Sequence, residues 1–246
     1  MGLLGFFLFA GLIALGVWQL QRLTWKEALI DRVNQRVHAP ALPPPTPAQW
    51  PRLSVAEHEY RHVHLSGTFL PQYTSLTQAN TRMGPGFWVM TPLRDEQGQL
   101  TWINRGFVSE RQTPIKTPSG EVRLNGLLRW SEPHGSWLRP NQAASGQWYS
   151  RDVAALSQAH GLTAVAPYFV DADADPATPF EPQAGQPLGG LTVISFANHH
   201  LSYALTWFAL ALGVVLAAWQ FRRLNRLENA PLSPPDDDPA NTPAPP

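Results

Sequence analysis

The chain has 246 residues, no formal net charge and a charged fraction of 15%, against about 25% in an average soluble protein. It contains no cysteine, which excludes disulfides, thiolate nucleophiles, CxxC redox chemistry and thiolate-ligated zinc. The balanced charge, with no basic stripe between aromatic residues, indicates that nucleic acid is not a partner.

The shortage of charge is concentrated in two apolar runs, one near each end of the sequence. Residues 2–20 and 201–221 contain no Asp, Glu, Lys or Arg. Because the hydrocarbon layer is about 30 Å thick, a helix needs about 20 apolar residues to cross it, so both runs predict membrane spans. The first run lacks a basic start and a small-x-small cleavage site, which favours an uncleaved span over a signal peptide. The basic residues missing before this span are expected in an upstream extension.

The order of segments predicts five parts. The first helix is expected to continue past its span, since apolar residues recur every four positions in WKEALIDRVNQRV before Pro40 ends the helix. We predict a first transmembrane helix at 2–21, an amphipathic helical extension at 22–40, a β-rich extramembrane domain at 41–198, a second transmembrane helix at 199–221, and at 222–246 a basic stop followed by a disordered tail rich in proline and aspartate.

Within the central domain, short alternating segments predict many strands and a single helix. A hairpin is expected around Asp95–Gly98, a bulge at Gly106, and a helix over 151–161 that starts near Asp152 and stops at Gly161. The predicted strands lie at 61–70, 86–95, 101–108, 120–130, 147–150, 165–173 and 189–196. This pattern favours a fold class of two transmembrane helices flanking one antiparallel β-rich (α+β) domain, with a partly closed barrel as one arrangement.

Seven sequence blocks occur in an order that is similar to a known family. They are LGVWQLQRLTWKEALI, EYRHVHLSGTF, GPGFWVMTPL, INRGFV, QWYSRD, YFVDAD and NHHLSYALTWF. Together they resemble the surfeit locus protein one family, the Shy-type assembly factors of cytochrome c oxidase. The resemblance runs from Leu15 to about Trp207, which is nearly the whole chain except the tail.

The resemblance implies a function, a location and a site. It implies a membrane protein that assists assembly of the haem a/copper oxidase around its core subunit, with haem a synthase as a second candidate partner. In a bacterium it implies the inner membrane, with the central domain in the periplasm and both termini in the cytoplasm. It also implies a link to haem a through a histidine that directly precedes leucine at the start of the second helix, which here is His200. The matching motifs contain no catalytic residues, so no enzyme activity is expected.

The residues around His200 allow two interpretations. A single histidine at a membrane boundary is ordinarily an interfacial side chain, but an imidazole is also an axial ligand of haem iron. Residues three, four and seven positions apart share a helix face, so His200, Tyr203, Ala204 and Trp207 form one stripe. We predict that haem a binds transiently to His200, Tyr203 and Trp207, with His200 as the ligand of the iron. His199 points about 100° away and is expected to be solvated.

Other candidate groups favour a structural interpretation. His62 and His64 share one strand face near His58, but two ligands do not complete a metal site, and a solvent-facing strand is favoured. Copper is not expected, because Cu(I) prefers Cys and Met ligands and the chain has no Cys and three scattered Met. Arg105 is interpreted as part of a bulged strand, with contact to a haem propionate or to the oxidase as its alternative.

Three further patterns concern packing, orientation and metal binding. Ala209, Gly213 and Ala217 form a small-residue face that predicts packing on the first span or on a partner helix.

The cluster Arg222, Arg223 and Arg226 predicts a cytoplasmic C-terminus, although Arg22, Lys26, Arg32 and Arg36 follow the first span on the other side. The alternation Asp171, Asp173 and Asp175 lacks an EF-hand continuation and favours an aspartate-rich turn.

Two classes of function remain open from the residues. The first is an assembly factor that binds haem a and presents it to the core subunit. The second is a cofactor-free membrane scaffold that stabilises the core subunit during assembly. A membrane-anchored enzyme is the least favoured class, because the sequence contains no nucleophile–base pair and no complete set of metal ligands.

Overall fold

The structure is a computed structural model that describes residues 2–135, 139–176, 184–192, 194 and 196–228. The chain forms two units: a helix pair from residues 1–29 and 196–246, and a domain from residues 30–195. The predicted tail after Glu228 lies outside the described residues.

Two long helices of the described chain, α1 (Gly2–Val37) and α4 (His200–Glu228), meet the length and composition of membrane spans. Helix α1 continues without a break through the predicted boundary between span and extension, and it ends three residues before Pro40. Many large apolar side chains on both helices are exposed, as expected for surfaces that face lipid rather than water.

The helix pair packs through small side chains. Gly16 of α1 lies against the ring of Phe208, and a Cβ atom at this glycine would overlap that ring. Ala204 and Ala211 of α4 are both only 1% exposed. Since lipid tails are as apolar as the side chains, close backbone approach of this kind is what holds helices together in a membrane.

The predicted small-residue face of α4 does not form this contact. Ala209 and Ala217 are exposed, and no heavy atom lies within 4 Å of a Cβ built at Gly213. Of the two alternatives for this face, packing on the first span is therefore wrong.

The domain is built around a ring of five strands. In the order β1, β5, β6, β4, β3 each strand pairs with the next, and β3 pairs back to β1 through the ends of both strands. Strand β2 extends the sheet at the outer edge of β3. The strands are β1 (His62–Phe69), β2 (Ser75–Thr81), β3 (Gly84–Arg94), β4 (Leu100–Val108), β5 (Glu121–Trp130) and β6 (Val165–Ala172).

The predicted fold class is confirmed, with one pairing that the sequence did not indicate. Strands β4 and β6 run parallel, and the other pairs are antiparallel. A parallel pair needs a long crossover connection, and residues 109–164, which contain β5 and the short helix α3 (Val153–Ala159), provide it. A four-residue helix, α2 (Val55–His58), precedes the first strand.

Strands β4 and β6 are buried on both faces. Ile103 and Tyr168 belong to the core inside the ring, whereas their neighbours Trp102 and Phe169 belong to a second core beneath α3. Adjacent residues of a strand point to opposite faces, so these two strands separate the two cores. This explains why their sequences alternate less clearly than that of β1.

The local predictions around the hairpin and the helix are confirmed. Strands β3 and β4 form the hairpin. Trp88 pairs with Phe107 and Met90 pairs with Asn104. Between these two pairs β4 moves on by three residues while β3 moves on by two, so β4 contains a bulge. Gly106 has a φ of 126°, and a side chain there would meet the backbone of Leu188. Asp152 caps α3 by accepting a hydrogen bond from the amide of Ala155.

Three local predictions are wrong or incomplete. Of residues 147–150, Gln147 and Trp148 form isolated bridges and the other two form a bend, so no strand is present there. The described part of 189–196 is irregular, with Val193 and Ser195 outside the described residues. Strand β2 was not predicted, because SLTQANT is a polar edge strand with a weak apolar alternation.

The prediction of an aspartate-rich turn is also wrong for Asp171. This residue lies inside β6 and is 3% exposed. A buried carboxylate needs hydrogen-bond donors, and Asp171 accepts four: Asn104 Nδ2 at 2.7 Å, Arg129 Nη1 at 3.0 Å, Arg151 Nη1 at 3.1 Å and Thr192 Oγ1 at 2.9 Å. These donors tie β4, β5, the start of α3 and the segment 184–192 to β6.

We predict that Asp171→Ala destabilises the full chain by about 3 kcal/mol, because two partly buried guanidinium groups lose their shared buried carboxylate and keep only Glu59 and Glu132 as ion-pair partners among the described residues. Chemical denaturation in detergent, followed by tryptophan fluorescence, measures the change. Glu96→Ala is the matched control, since Glu96 is exposed in the β3–β4 turn. Equal stability of the two variants would contradict the assigned role of Asp171.

Candidate functional site

His200 is the first residue of α4 and is held by a side chain of α1. Its Nδ1 atom lies 2.8 Å from Oε1 of Gln19. Gln19 is only 9% exposed, although it lies in a run of apolar residues that is otherwise exposed on several faces. A buried amide needs a partner, and the imidazole provides it.

This contact determines which nitrogen of His200 is available. A carbonyl oxygen can only accept, so Nδ1 carries the proton and donates to Gln19. Nε2 then carries the lone pair, and no described residue forms a hydrogen bond with it. The same arrangement orients histidines that bind metals through one nitrogen while the other donates to a neighbouring acceptor.

The predicted stripe on α4 is divided by the helix pair. Ala204 is 1% exposed and is buried at the contact with α1, so it leaves no gap beside His200. Trp207 is half-buried, and Tyr203 is 56% exposed. Of the three side chains predicted to hold the cofactor, His200 and Trp207 are therefore half-buried and Tyr203 is exposed.

His199 points away from this arrangement. It is exposed, whereas His200 is half-buried. This difference is consistent with the expectation that His199 is solvated, since successive residues of a helix are about 100° apart.

The His62 and His64 pair on β1 anchors the connector that follows α1. Nδ1 of His62 lies 3.0 Å from the carbonyl oxygen of Ala39, and Nδ1 of His64 lies 3.2 Å from that of Ala41. Burial lowers the pKa of His62, but hydrogen bonds to Asp173 and Ala39 outweigh this effect, so its pKa lies above its usual value. Both rings thereby hold the connector after α1 against β1.

The side chain of Arg105 makes its contacts within the domain. Its guanidinium donates to Thr117 Oγ1 at 2.7 Å and to the carbonyl oxygen of Lys116 at 2.6 Å, and it lies 5.0 Å from the ring centroid of Phe69. Burial lowers the pKa of Arg105 to about 10, so the side chain remains cationic at neutral pH. These contacts hold the segment after β4 against the barrel.

The donor set suits a porphyrin better than a bare metal ion. The described residues contain no group of three or more His, Asp or Glu side chains that could hold a metal, and a bare zinc or copper ion needs at least three protein ligands. Iron in a porphyrin already has four nitrogen ligands, so one imidazole is enough. Nε2 of His200, on a helix face that also carries Tyr203 and Trp207, fits that requirement.

Gln19 was not predicted as a site residue. It stands in the apolar run GVWQL, which the sequence predicts as part of the first span. Its polarity is the feature of the sequence that could have identified it, because an amide near the end of a span must find a hydrogen-bond partner. The sequence could not identify that partner, which is 181 residues away.

Comparisons with known proteins agree with the order of the sequence blocks. Residues 6–212 match the model of the SURF1 family. The chain is 34% identical to a SURF1-like protein of Monosiga brevicollis over 227 residues, covering 85% of this chain and 82% of the relative. It is 31% identical to Surfeit locus protein 1 of Rattus norvegicus over 225 residues, with 83% and 70% covered. For Surfeit locus protein 1 of Homo sapiens the identity is 30% over 219 residues, with 80% and 69% covered.

Proposed function

The chain belongs to the SURF1 family, and we propose that it binds haem a through His200 and presents it to the core subunit of cytochrome c oxidase. Members of this family are known as cytochrome c oxidase assembly factors, are generally non-enzymatic and are linked to haem. They interact with assembly intermediates of the oxidase.

The observation that supports the proposal is the state of His200. Its Nδ1 atom is engaged by Gln19 while Nε2 has no partner among the described residues. An imidazole fixed in this way is oriented for one additional bond. When bound, haem a supplies an iron that accepts one nitrogen ligand from the protein.

The position of His200 suits an amphiphilic ligand. Haem a has an apolar ring and isoprenoid tail, and it carries two propionates that favour water. His200 lies in the first turn of α4, at the boundary between apolar and polar sequence. A ligand at mid-span would instead place a polar group in hydrocarbon, which costs about 2.5–3.5 kcal/mol for a charged side chain on insertion scales.

A single protein ligand also suits presentation rather than storage. His200 would be the single residue that holds the iron, so release would require the loss of only one protein ligand. Trp207 and Tyr203 share the helix face of His200 and would supply aromatic surface to the ring, which adds packing without a further bond to iron. Copper has no part in the proposal, and neither does catalysis.

We predict that His200→Ala lowers the haem a that co-purifies with the protein by about tenfold or more, which corresponds to about 1.4 kcal/mol or more. The measurement is the absorption spectrum of protein purified from a host that makes haem a. His199→Ala is the matched control and should retain nearly all of the haem, because His199 is exposed and lies outside the stripe. Trp207→Ala should have an intermediate effect.

The same experiment separates the two functions that the sequence left open. If the wild type purifies without haem a, or if His200→Ala keeps the full spectrum, the ligand assignment is wrong. The cofactor-free scaffold that stabilises the core subunit then takes its place.

The protein is a membrane protein with two candidate spans, and we propose the bacterial inner membrane as its location, with residues 41–198 in the periplasm. The cluster Arg222, Arg223 and Arg226 supports a cytoplasmic C-terminus. Two basic residues after the first span have partners within their own unit: Arg36 donates to the carbonyl oxygen of Ala56 at 2.6 Å, and Lys26 lies 5.1 Å from the ring centroid of Phe196. Their presence on the periplasmic side therefore has a structural reason.

We predict that a reporter active only in the cytoplasm, fused after Pro246, is active in cells. The same reporter inserted at the exposed β3–β4 turn, next to Gly98, should be inactive, because that turn belongs to the periplasmic domain. The reverse pattern of activity would show the opposite orientation.

A further inference from the structure

The cofactor site is not formed by α4 alone. His200 depends on Gln19 of α1 for its orientation, and the same face of α1 carries a cation. We propose that α1 supplies half of the site, with Gln19 as the positioning residue for His200 and Lys26 as the cation that pairs with a propionate carboxylate of the bound porphyrin. This inference rests on the proposed function.

The geometry of α1 places Lys26 in line with Gln19. The two residues are seven positions apart, which is about 10 Å along the helix and about 20° around it. Lys26 is displaced toward the end of α1 from which the chain continues into the domain. A porphyrin held by iron near Gln19 and His200 would extend its propionates about this far along the helix.

The contact of Lys26 within the helix pair supports this placement. Its Nζ atom lies 5.1 Å from the ring centroid of Phe196, four residues before His200. Lys26 is half-buried, and this contact places its charge near the segment that leads into α4. The free amide groups of the first turn of α4 add positive potential there, which favours a carboxylate.

Arg22 provides a contrast on the same helix. It lies about 60° around the helix from Gln19, is exposed, and its guanidinium lies 4.5 Å over the ring of Trp25. The cation that faces the His200 side of the pair is therefore Lys26. Arg22 becomes a matched control, because it is close in sequence and carries the same charge.

The first arm of the test concerns the carboxylate. The full chain, purified without cofactor in detergent, is titrated with haem a and with the dimethyl ester of haem a, which lacks propionate charge. Wild type should bind haem a more tightly than the ester. Lys26→Met should weaken haem a binding by about threefold to fivefold, the range of a partly exposed ion pair, and should leave ester binding unchanged. Arg22→Met should behave as wild type.

The second arm concerns the orientation of His200. Gln19→Leu should weaken haem a binding by about tenfold or more, as for other neighbours that orient metal-binding histidines. Gln19→Glu should restore binding, because its carboxylate also accepts from Nδ1. In the reduced complex the iron–histidine stretching band in resonance Raman spectra should rise in frequency with Glu and fall with Leu. Gln21→Leu is the control, since Gln21 is exposed on another face.

The outcomes separate this inference from the function on which it rests. If the wild type binds no haem a, the proposed function fails. If wild type binds and His200→Ala does not, the function stands, and equal binding by the Gln19 and Lys26 variants overturns the inference. Unchanged Raman frequencies in both Gln19 variants would also overturn the positioning role. An equal effect of Lys26→Met on haem a and on its ester would overturn the carboxylate contact.

Discussion

The arrangement of the site depends on one hydrogen bond within the helix pair, between Gln19 and His200. A polar side chain in a membrane-spanning helix must find a partner, because lipid offers none. Each of these two residues satisfies the other, and the bond sets the tautomer of the imidazole. The nitrogen that remains free is the one for which we propose a ligand. A constraint of membrane folding and a requirement of metal binding are therefore met by the same contact.

Close packing makes this bond possible. Gly16, three residues before Gln19, leaves space for the ring of Phe208, and Ala204 is buried one turn after His200. Larger side chains at these positions would separate the backbones and lengthen the distance between the amide and the imidazole. Tyr203 is exposed and Trp207 is half-buried, so part of their aromatic surface is accessible to a flat ligand.

The domain depends on a different buried polar group. Asp171 gathers donors from two arginines, an asparagine and a threonine, and the elements that supply them are distant in sequence. Breaking a buried ion pair is costly because the remaining charge loses its partner. The histidines of β1 hold a shorter segment in a similar way, since Nδ1 of each donates a hydrogen bond to a backbone carbonyl oxygen of the connector after α1. Polar side chains thus fix segments that have little apolar surface of their own.

The sequence by itself determined the features that depend on local pattern. Length and apolarity predicted both spans, period-two alternation predicted five of the six strands, and Gly106 predicted the bulge in β4, because each signal lies within a few consecutive residues. Ordered motifs also predicted the family and singled out His200. The parallel pairing of β4 with β6, the burial of Asp171 and the edge strand β2 required the tertiary structure. So did the role of Gln19, whose partner is 181 residues away, because a hydrogen bond between distant segments leaves no periodic trace in the sequence.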